Sequence, residues 1–461
     1  MASERRRVAV VGGGIAGLAA AHAAVSHAER LDVVVFEATD RVGGKILTTP
    51  FAGHPAIDEG ADAFLARLPW GTELARAVGL DEQLVSPAAS RAAVWWDELH
   101  PIPEALLLGL PTEVLALARS SLLSWGGKIR AATEPFRRRT SIAPDSLGSF
   151  VRARFGDQVH LRLVDPLVGS IYAADTDRFS LAAVPQIAEL ASSSRSVLLA
   201  GRKAKARANT KTAGTADPIF YTPVGGMGML TTATAEAIAL AGGDVRHNAP
   251  VTELAVDDGA WRVNGERFDS VVLACPAAAT VDLLSRVAPD SARTLGKIPT
   301  ADVALVSLAV PSAGWPTRLD GLSGYLVPKP KQQLVTAASF GSQKWPQWHL
   351  DDAVLLRVSL GRDGLPVLQL TDEQLIAAAI DEVSGHLGIS LQPSHVRISR
   401  WPAAFPQYRP HHAALVATAT RTLPAGLALA GASYHGIGIP ACIKSGIDAA
   451  ARAGNRDALA D

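Results

Sequence analysis

The first chemistry legible in this chain is a place for phosphate. Gly12-Gly13-Gly14-Ile15-Ala16-Gly17 carries glycines in the pattern G-x-G-x-x-G. Arg7-Val8-Ala9-Val10-Val11 before it has the apolar run of a buried parallel strand, and Leu18 to Ala28 after it is rich in helix formers. In that context the first glycine permits a tight turn, the second lets backbone approach a pyrophosphate, and the third lets helix and strand pack closely. Backbone N–H groups at the helix start, with the helix dipole behind them, hold the phosphates. A second strand, Asp32-Val33-Val34-Val35-Phe36, leads to Glu37, 20 positions beyond Gly17, where a carboxylate accepts hydrogen bonds from a ribose. The pattern predicts a dinucleotide site built from Gly12, Gly13, Gly14, Ile15, Ala16, Gly17, Glu37 and the adjoining Ala38.

Arg41-Val42-Gly43-Gly44-Lys45 adds a second close-approach glycine pair between two cations. A nicotinamide dehydrogenase has no need of it, whereas a flavin dinucleotide running towards the interior uses Arg41 and Lys45. The far end returns to the theme: a strand at Gly426–Ala430, a glycine-rich bend at Gly431–Pro440, and helix formers from Ala441 to Ala453. Gly225-Gly226-Met227-Gly228 resembles a further phosphate loop but lacks a preceding buried strand and an acid at the right distance. With no second dinucleotide site, electrons come from an organic substrate and leave to a small acceptor, most simply O₂. No carboxylate dyad, Ser–His pair or metal cluster stands out. No catalytic side chain and no metal ligand is therefore assigned, because a flavin itself carries the hard step.

The 461 residues make two or three domains, and 48% hydrophobic with 19% charged residues make them globular. Lys plus Arg and Asp plus Glu both number 44, which argues against a nucleic-acid binder. Cys275 and Cys442 are far apart, so a disulfide framework or zinc site is excluded and a reducing cytoplasm fits. The apolar run Val8 to Val25 is explained by the glycine motif. Ala105 to Trp125 is interrupted by Pro111, Glu113 and Arg119, so membrane contact is at most peripheral. The expected class is α/β: a discontinuous Rossmann-type FAD-binding domain with an inserted α+β substrate domain and a helical subdomain. The expected layout is 1–90 for the first cofactor part, 91–217 for the helical subdomain, and 218–290 for the second cofactor part with a β-meander. A β-rich substrate domain follows at 291–424, and 425–461 closes the cofactor domain. Apolar spacing predicts helices over Glu113–Trp125 and Leu147–Val168, and strands over Val303–Val310, Gly324–Val327 and Val354–Leu360. The basic runs Lys128–Arg139 and Arg202–Lys211 read as solvated faces, with an anionic membrane as the functional alternative.

The glycine motif with Glu37 and RVGGK resembles the FAD-dependent amine-oxidase superfamily. Five segments narrow this to the bacterial oxygen-dependent coproporphyrinogen III and protoporphyrinogen oxidases: Asp58–Leu65, Asp165–Asp175, Thr222–Leu230, Trp401–Tyr408 and GASYHGIGIPACI. The resemblance implies non-covalent FAD, with Lys45, Gly60 and Ala61 as further contacts. It puts Val251, in a strand from Asn248 to Leu254, by the adenine, and Trp401, Ile437, Gly438 and Ile439 by the isoalloxazine. It implies oxidation of coproporphyrinogen III, a macrocycle losing six hydrogens in three cycles of hydride transfer, with O₂ reduced to H₂O₂. The alternatives are protoporphyrinogen IX as main substrate, an amine or carotenoid oxidoreductase, and a Rab-escort type binding protein without redox chemistry. Asp62 is expected at a pyrrole N–H, Arg67 as a carboxylate anchor, and Tyr172 and Tyr408 on the pocket wall; Arg178 and Lys444 are further cations to test. The next haem-pathway enzyme, ferrochelatase, is the expected protein partner.

Overall fold

The computed structural model describes residues 5–26, 31–89, 91–138, 145–203 and 218–454. A five-stranded parallel sheet runs in the order Asp244–Arg246, Asp32–Phe36, Arg7–Val11, Ser270–Leu273 and Leu427–Leu429. Strands from the beginning, middle and end of the chain share this sheet, which bears out the α/β reading. Alternation sorts their side chains. Val8, Val10, Val33 and Val35 pack with the helices Ile15–Val25 and Ile439–Gly454, while Ala9, Val11 and Val34 face the opposite layer. The two helices come so close that a Cβ on Gly446 would strike the Ala16 backbone. The expected continuation of the first helix to Ala28 lies outside the described residues.

A second, seven-stranded sheet has the order His395–Pro406, Thr300–Pro311, Ala353–Leu360, Val335–Phe340, Leu322–Leu326, Arg91–Trp96 and Glu98–Pro101. One face carries Ala304, Val306, Leu308, Leu356, Val358 and Leu360, and buries the helix Asp372–Leu387 through Leu375, Ala379, Val383 and Leu387. That helix starts with a Thr371–Gln374 capping box and stops at Gly388. The other face looks towards the cofactor sheet across a cavity.

The structure departs from the sequence reading in several places. Residues 91–101 form two strands rather than the start of a helical region. Ala93 packs into the seven-stranded sheet's core and Val94 into the helical layer, so burial on both faces outweighs alanine's helix propensity. The expected helix over Glu113–Trp125 is only Val114–Arg119, and a new one, Trp125–Ala132, starts at Ser124. Ser120 Oγ accepts the Leu122 N–H and Ser124 Oγ the Gly127 N–H, local bonds that compete with a continuous helix. Leu147–Val168 is broken at Gly156 (φ +91°) into the helix Leu147–Phe155 and a π-helix, His160–Gly169, that contains Pro166. The helices Pro289–Leu295 and His412–Arg421 pack with the cofactor sheet although the stretch from residue 291 onwards is the one expected to form the substrate domain. Asn248–Leu254 is not a strand; its first residues bond back to Thr39 and Glu37 carbonyls, and the meander strands are Leu254–Asp257, Ala260–Val263 and Glu266–Phe268. Positions 204–217 and 455–461 of the expected layout, including most of the second basic run, lie outside the described residues.

Candidate active site

The cavity, of about 740 Å³, opens where the parallel strands end, at Val11, Phe36, Ala274 and Gly431, and extends to the seven-stranded sheet. At the first end the glycine turn is held by its own acid. Gly13 N–H donates to Glu37 Oε2 at 2.7 Å, and Thr39 donates to Oε1 through its N–H at 2.9 Å and its hydroxyl at 2.7 Å. The two Thr39 donors fill Oε1, while Oε2, with one donor, keeps acceptor capacity for a ribose hydroxyl. Gly14 is the N-cap of the Ile15–Val25 helix, and a Cβ built there would meet nothing within 4 Å. A Cβ on Gly17 would run into the Gly12 carbonyl. The two glycines therefore do different work: Gly14 keeps the cavity open, and Gly17 lets helix and turn pack.

The second glycine pair lies against the first turn. Gly43 and Gly44 have φ of +105° and +57°, Gly43 N–H donates to Gly13 O at 2.8 Å, and a Cβ on Gly44 would stand 3.3 Å from Gly14 Cα. Arg41 does not face the cavity. Its guanidinium turns back onto the carbonyls of Val42, Gly44 and Ile46 at 2.8 to 3.2 Å and braces the turn. Lys45 does line the cavity, donating to Ala403 O at 3.3 Å and to Ala404 O; burial lowers its pKa.

Ile15, Ala16, Ala38, Gly60, Ala61, Val251, Trp401, Ile437 and Ile439 are on the wall. Trp401 Nε1 donates to Glu59 O at 2.9 Å, fixing the indole beside Gly60. Gly438 is not on the wall; its carbonyl receives the Cys442 N–H and starts the last helix. Cys275 and Cys442 both border the cavity, and burial pushes their thiols up, that of Cys442 to about 12. The open space before Gly14, the apposed glycine turns and the backbone donors of a helix start suit an extended dinucleotide, so these residues fit a flavin nucleotide.

At the far end, side chains replace backbone. Val303, Leu305, Ser339, Arg357 and Ser359 present one face of the seven-stranded sheet. Asp62 Oδ2 accepts from Lys344 Nζ at 2.8 Å and Trp345 Nε1 at 3.0 Å and forms an ion pair with Arg357 Nη1 at 3.1 Å. Lys344 and Arg357, more than offsetting its burial, hold the Asp62 carboxyl well below the usual range. Arg362 is clamped by Asp165 of the π-helix at 3.0 and 3.2 Å, with further bonds to Ala174 O and to Gln332 at 3.4 Å. A Cβ on Gly169 would stand 2.9 Å from that guanidinium, so the π-helix has a glycine where the arginine passes. Sequence reasoning missed Lys344, Arg357 and Arg362. Leu-Arg-Val-Ser-Leu at 356–360 alternates apolar and polar, the one signal that marked this face; Lys344 and Arg362 sit beyond strand ends, where no periodicity flags them.

The expected substrate residues are scattered. Asp62 lines the cavity with its Oδ2 taken by cations and an indole. Arg67 is exposed and off the wall, close enough to Tyr172 to act on it electrostatically. Tyr172 packs on Phe179 within the helical layer, and its hydroxyl reaches Ala183 O at 3.5 Å. Tyr408 is buried behind the wall, donating to Ala432 O at 2.5 Å and accepting Gly436 N–H at 2.8 Å, so it braces the C-terminal glycine bend. Arg178 and Lys444 pair with Asp363 and Asp448 away from the cavity. Gly225–Gly228 does follow a strand, Phe220–Pro223, but its donors are already used: Met227 N–H meets Asp58 Oδ1 at 3.0 Å and Gly228 N–H meets Thr48 Oγ1 at 2.8 Å. Among the described residues no metal-binding cluster occurs, and no helix is long and apolar enough to cross a membrane.

Residues 15–453 match the family described as flavin-containing amine oxidoreductase. The chain is 34% identical to the coproporphyrinogen III oxidase of Mycobacterium tuberculosis, over 95% of each chain. It is 32% identical to that of Propionibacterium freudenreichii, over 94% of this chain and 88% of the relative. A crystal structure from an Exiguobacterium species, described as a candidate protoporphyrinogen oxidase, superposes with a TM-score of 0.85 at 28% identity, covering 97% of this chain and 98% of that one. Reduced UDP-galactopyranose mutase shares the fold at 14% identity with a TM-score of 0.72. Full-length similarity and a glycine-lined dinucleotide cavity agree: the chain belongs to the flavin-containing amine oxidoreductase family, and a flavin is its cofactor.

Proposed function

We propose that this enzyme oxidises coproporphyrinogen III to coproporphyrin III, with non-covalent FAD as cofactor and O₂ as acceptor. The observation that carries the reading is the continuity of one cavity from the Gly12–Gly17 turn to a sheet face bearing Lys344 and Arg357. A porphyrinogen with four carboxylates is a large apolar ring with an anionic rim, and such a wall offers both surfaces. The relatives named coproporphyrinogen III oxidase support the substrate class. The flavin supplies two-electron oxidation and passes the electrons on to O₂, so that six hydrogens leave the substrate and three O₂ become three H₂O₂. Gly12, Gly14 and Glu37 hold the nucleotide, Lys45 and Trp401 border the ring system, and the seven-stranded sheet orients the macrocycle and keeps water from its apolar face. Protonated, buried thiols at Cys275 and Cys442 favour non-covalent binding, since a thioether link needs a thiolate.

The proposed place of action is the cytoplasm, with peripheral contact at the inner face of the cell membrane. Trp125, Ile129 and Phe136 stand exposed on the helical layer beside Arg119, Arg137 and Arg138, a surface of aromatic and cationic side chains suited to an anionic bilayer. Ferrochelatase is the proposed recipient of the product. Anaerobic mixing with each porphyrinogen tests the assignment. Flavin bleaching by coproporphyrinogen III, with a higher kcat/KM than for protoporphyrinogen IX under equal O₂, is the expected result. Bleaching by amines and by neither porphyrinogen would move the enzyme to the amine-oxidising branch.

A further inference from the structure

The cations on the cavity wall are not equally free to bind a ligand. Arg362 spends Nη1 on Asp165 and Gln332 and Nη2 on Asp165 and Ala174 O, and Asp165 cancels its charge. Lys45 is turned onto the carbonyls of Ala403 and Ala404. Arg357 is ion-paired to Asp62 through Nη1 and gives Nη2 to Gly60 O, and its remaining Nε is buried away from solvent. Lys344 differs. Its ammonium has three N–H donors. One goes to Asp62 at 2.8 Å, and the described residues offer the other two no partner. Its side chain is 20% exposed, and that exposure faces the cavity it lines.

The surroundings make Lys344 a fixed charge rather than a loose one. It ends the short helix Gly341–Lys344 and is followed by Trp345, which with Trp348 is fully buried. Lys344 Nζ lies 5.0 Å from the Trp345 ring centroid, and the Trp345 N–H and Lys344 share the same Asp62 oxygen. Two cations, Lys344 and Arg357, face Asp62, and Asp58 also acts on Arg357 electrostatically, so the Lys344 ammonium shares Asp62 with a second cation and is left with donors to spare. The other carboxylate on the cavity wall, Glu37, sits at the nucleotide end. A ligand carboxylate arriving here would find an ammonium with two free donors, held in place by Asp62.

We propose that Lys344 forms a carboxylate-binding subsite for a propionate of the substrate, with Asp62 as the positioning residue that aims the ammonium into the cavity. The proposal rests on the porphyrinogen reading above and names the residue that recognises the substrate's anionic rim. Asp62 then works through Lys344 and does not itself meet a pyrrole.

The test uses the flavin-loaded enzyme with Lys344→Gln and Lys344→Arg, and two readouts. One is fluorescence titration with the oxidised porphyrins, coproporphyrin III and protoporphyrin IX, which needs no turnover. The other is the division of any rate loss between KM and kcat with coproporphyrinogen III. Lys344→Gln is expected to weaken coproporphyrin binding about tenfold and raise KM by a similar factor, the loss of one charge-assisted hydrogen bond, with kcat changed far less. Lys344→Arg, which keeps charge and donors, is expected to restore most of both. A loss confined to coproporphyrin places Lys344 at a propionate that protoporphyrin lacks, and a loss with both places it at a shared one; either supports the subsite. Unchanged binding in Lys344→Gln, or a fall in kcat with binding and KM intact, overturns it. Wild-type enzyme that neither binds a porphyrin nor oxidises a porphyrinogen defeats the functional reading and this inference together, whereas normal wild-type behaviour with an indifferent Lys344→Gln defeats this inference alone. If Lys344→Gln lowers flavin content or melts early, Lys344→Met/Asp62→Asn, which removes the ammonium together with its partner charge, gives the same binding comparison in a cluster whose remaining cation keeps its Gly60 bond.

Discussion

The two ends of the cavity are made of different material. The Gly12–Gly17 end offers backbone N–H groups and open space before Gly14. The seven-stranded sheet instead presents ionised side chains: Arg357 and Arg362 are paired with Asp62 and Asp165, and Lys344 shares Asp62 with donors to spare. A site of the first kind is broken by adding atoms and a site of the second by deleting charges. The largest expected effect follows from the first. A Cβ on Gly14 meets no protein atom and its backbone is ordinary for any residue (φ −70°), so Gly14→Val should fold, yet it fills the ligand's path. It should purify colourless while still melting cooperatively, at the lower temperature of a protein without its bound cofactor. Gly17→Val, which drives a side chain into the Gly12 carbonyl, should instead fail to accumulate as soluble protein. Full flavin occupancy in Gly14→Val would mean the phosphates run elsewhere.

The charge-built end is probed by the Asp165–Arg362 pair, fully buried where the π-helix meets the sheet. Asp165→Asn leaves a buried guanidinium without a counter-charge, a change that costs about 3–5 kcal/mol in comparable pairs. Arg362→Met alone leaves a buried carboxylate and should cost a similar amount. The double variant should be more stable than the sum of the two losses predicts, because neither charge is then stranded. Urea denaturation of the four proteins gives that coupling directly. Purely additive losses would show that the two groups act independently and that the pair does not tie the layers together.

This contrast also explains what could be read from sequence. A backbone-built site needs particular residue types at fixed spacing, so Gly12, Gly14, Gly17 and Glu37 were legible, as was the parallel sheet behind them. A site built of side chains needs residues that are distant in sequence: Asp62 meets Lys344 and Arg357, and Asp165 meets Arg362. Nothing local marks such partners. Arg67, Tyr172 and Tyr408 were chosen for their chemistry and proximity to motifs, and tertiary packing turned them outwards or used them as braces. The π-helix was equally hidden, since Leu147–Val168 has helical periodicity and only Gly156 and Pro166 hint at its division.

A third glycine-rich junction sharpens the comparison, because there the protein supplies its own anion. The N–H of Met227 and the hydroxyl of Thr48 both donate to Asp58 Oδ1, while Oδ2 is buried without a partner. Burial outweighs these bonds and raises the Asp58 pKa from 3.8 to about 6. A carboxyl whose folded pKa lies above its unfolded value binds more protons when folded, so the protein loses stability as pH rises from 3.8 to about 6. The loss amounts to about 2–3 kcal/mol at neutral pH, from ~1.4 kcal/mol per unit. Asp58→Asn, which keeps an acceptor oxygen and never ionises, should therefore be at least as stable as wild type at about pH 8 and lose this advantage towards about pH 4.5. Denaturant midpoints across that range check it. An advantage that grows on acidification would reverse the sign and show that the start of the Gly228–Leu240 helix stabilises the ionised form.

The smallest expected effect lies outside the cavity, where exposed cations neighbour apolar side chains rather than carboxylates among the described residues. Trp125, Ile129 and Phe136 follow one another along one side of the Trp125–Ala132 helix and the turn after it, with exposures of 74%, 63% and 84%. Lys128 lies over the Trp125 ring at 4.6 Å, and Arg137 and Arg138 are exposed beyond it. These side chains contribute little to the core, so Trp125→Ser/Phe136→Ser should leave melting temperature and flavin content unchanged. On an anionic bilayer, each nearby cation contributes ~1 kcal/mol, and wedged aromatics add to it. Wild type should co-sediment with vesicles containing phosphatidylglycerol, weakly with phosphatidylcholine alone, and be released by high salt. The double variant should bind anionic vesicles several-fold less. Retention of wild type through both high salt and alkaline washing would rule out a peripheral attachment. Equal binding by wild type and variant would show that this face is merely solvated, its aromatics no more adhesive than the paired charges on the cavity wall.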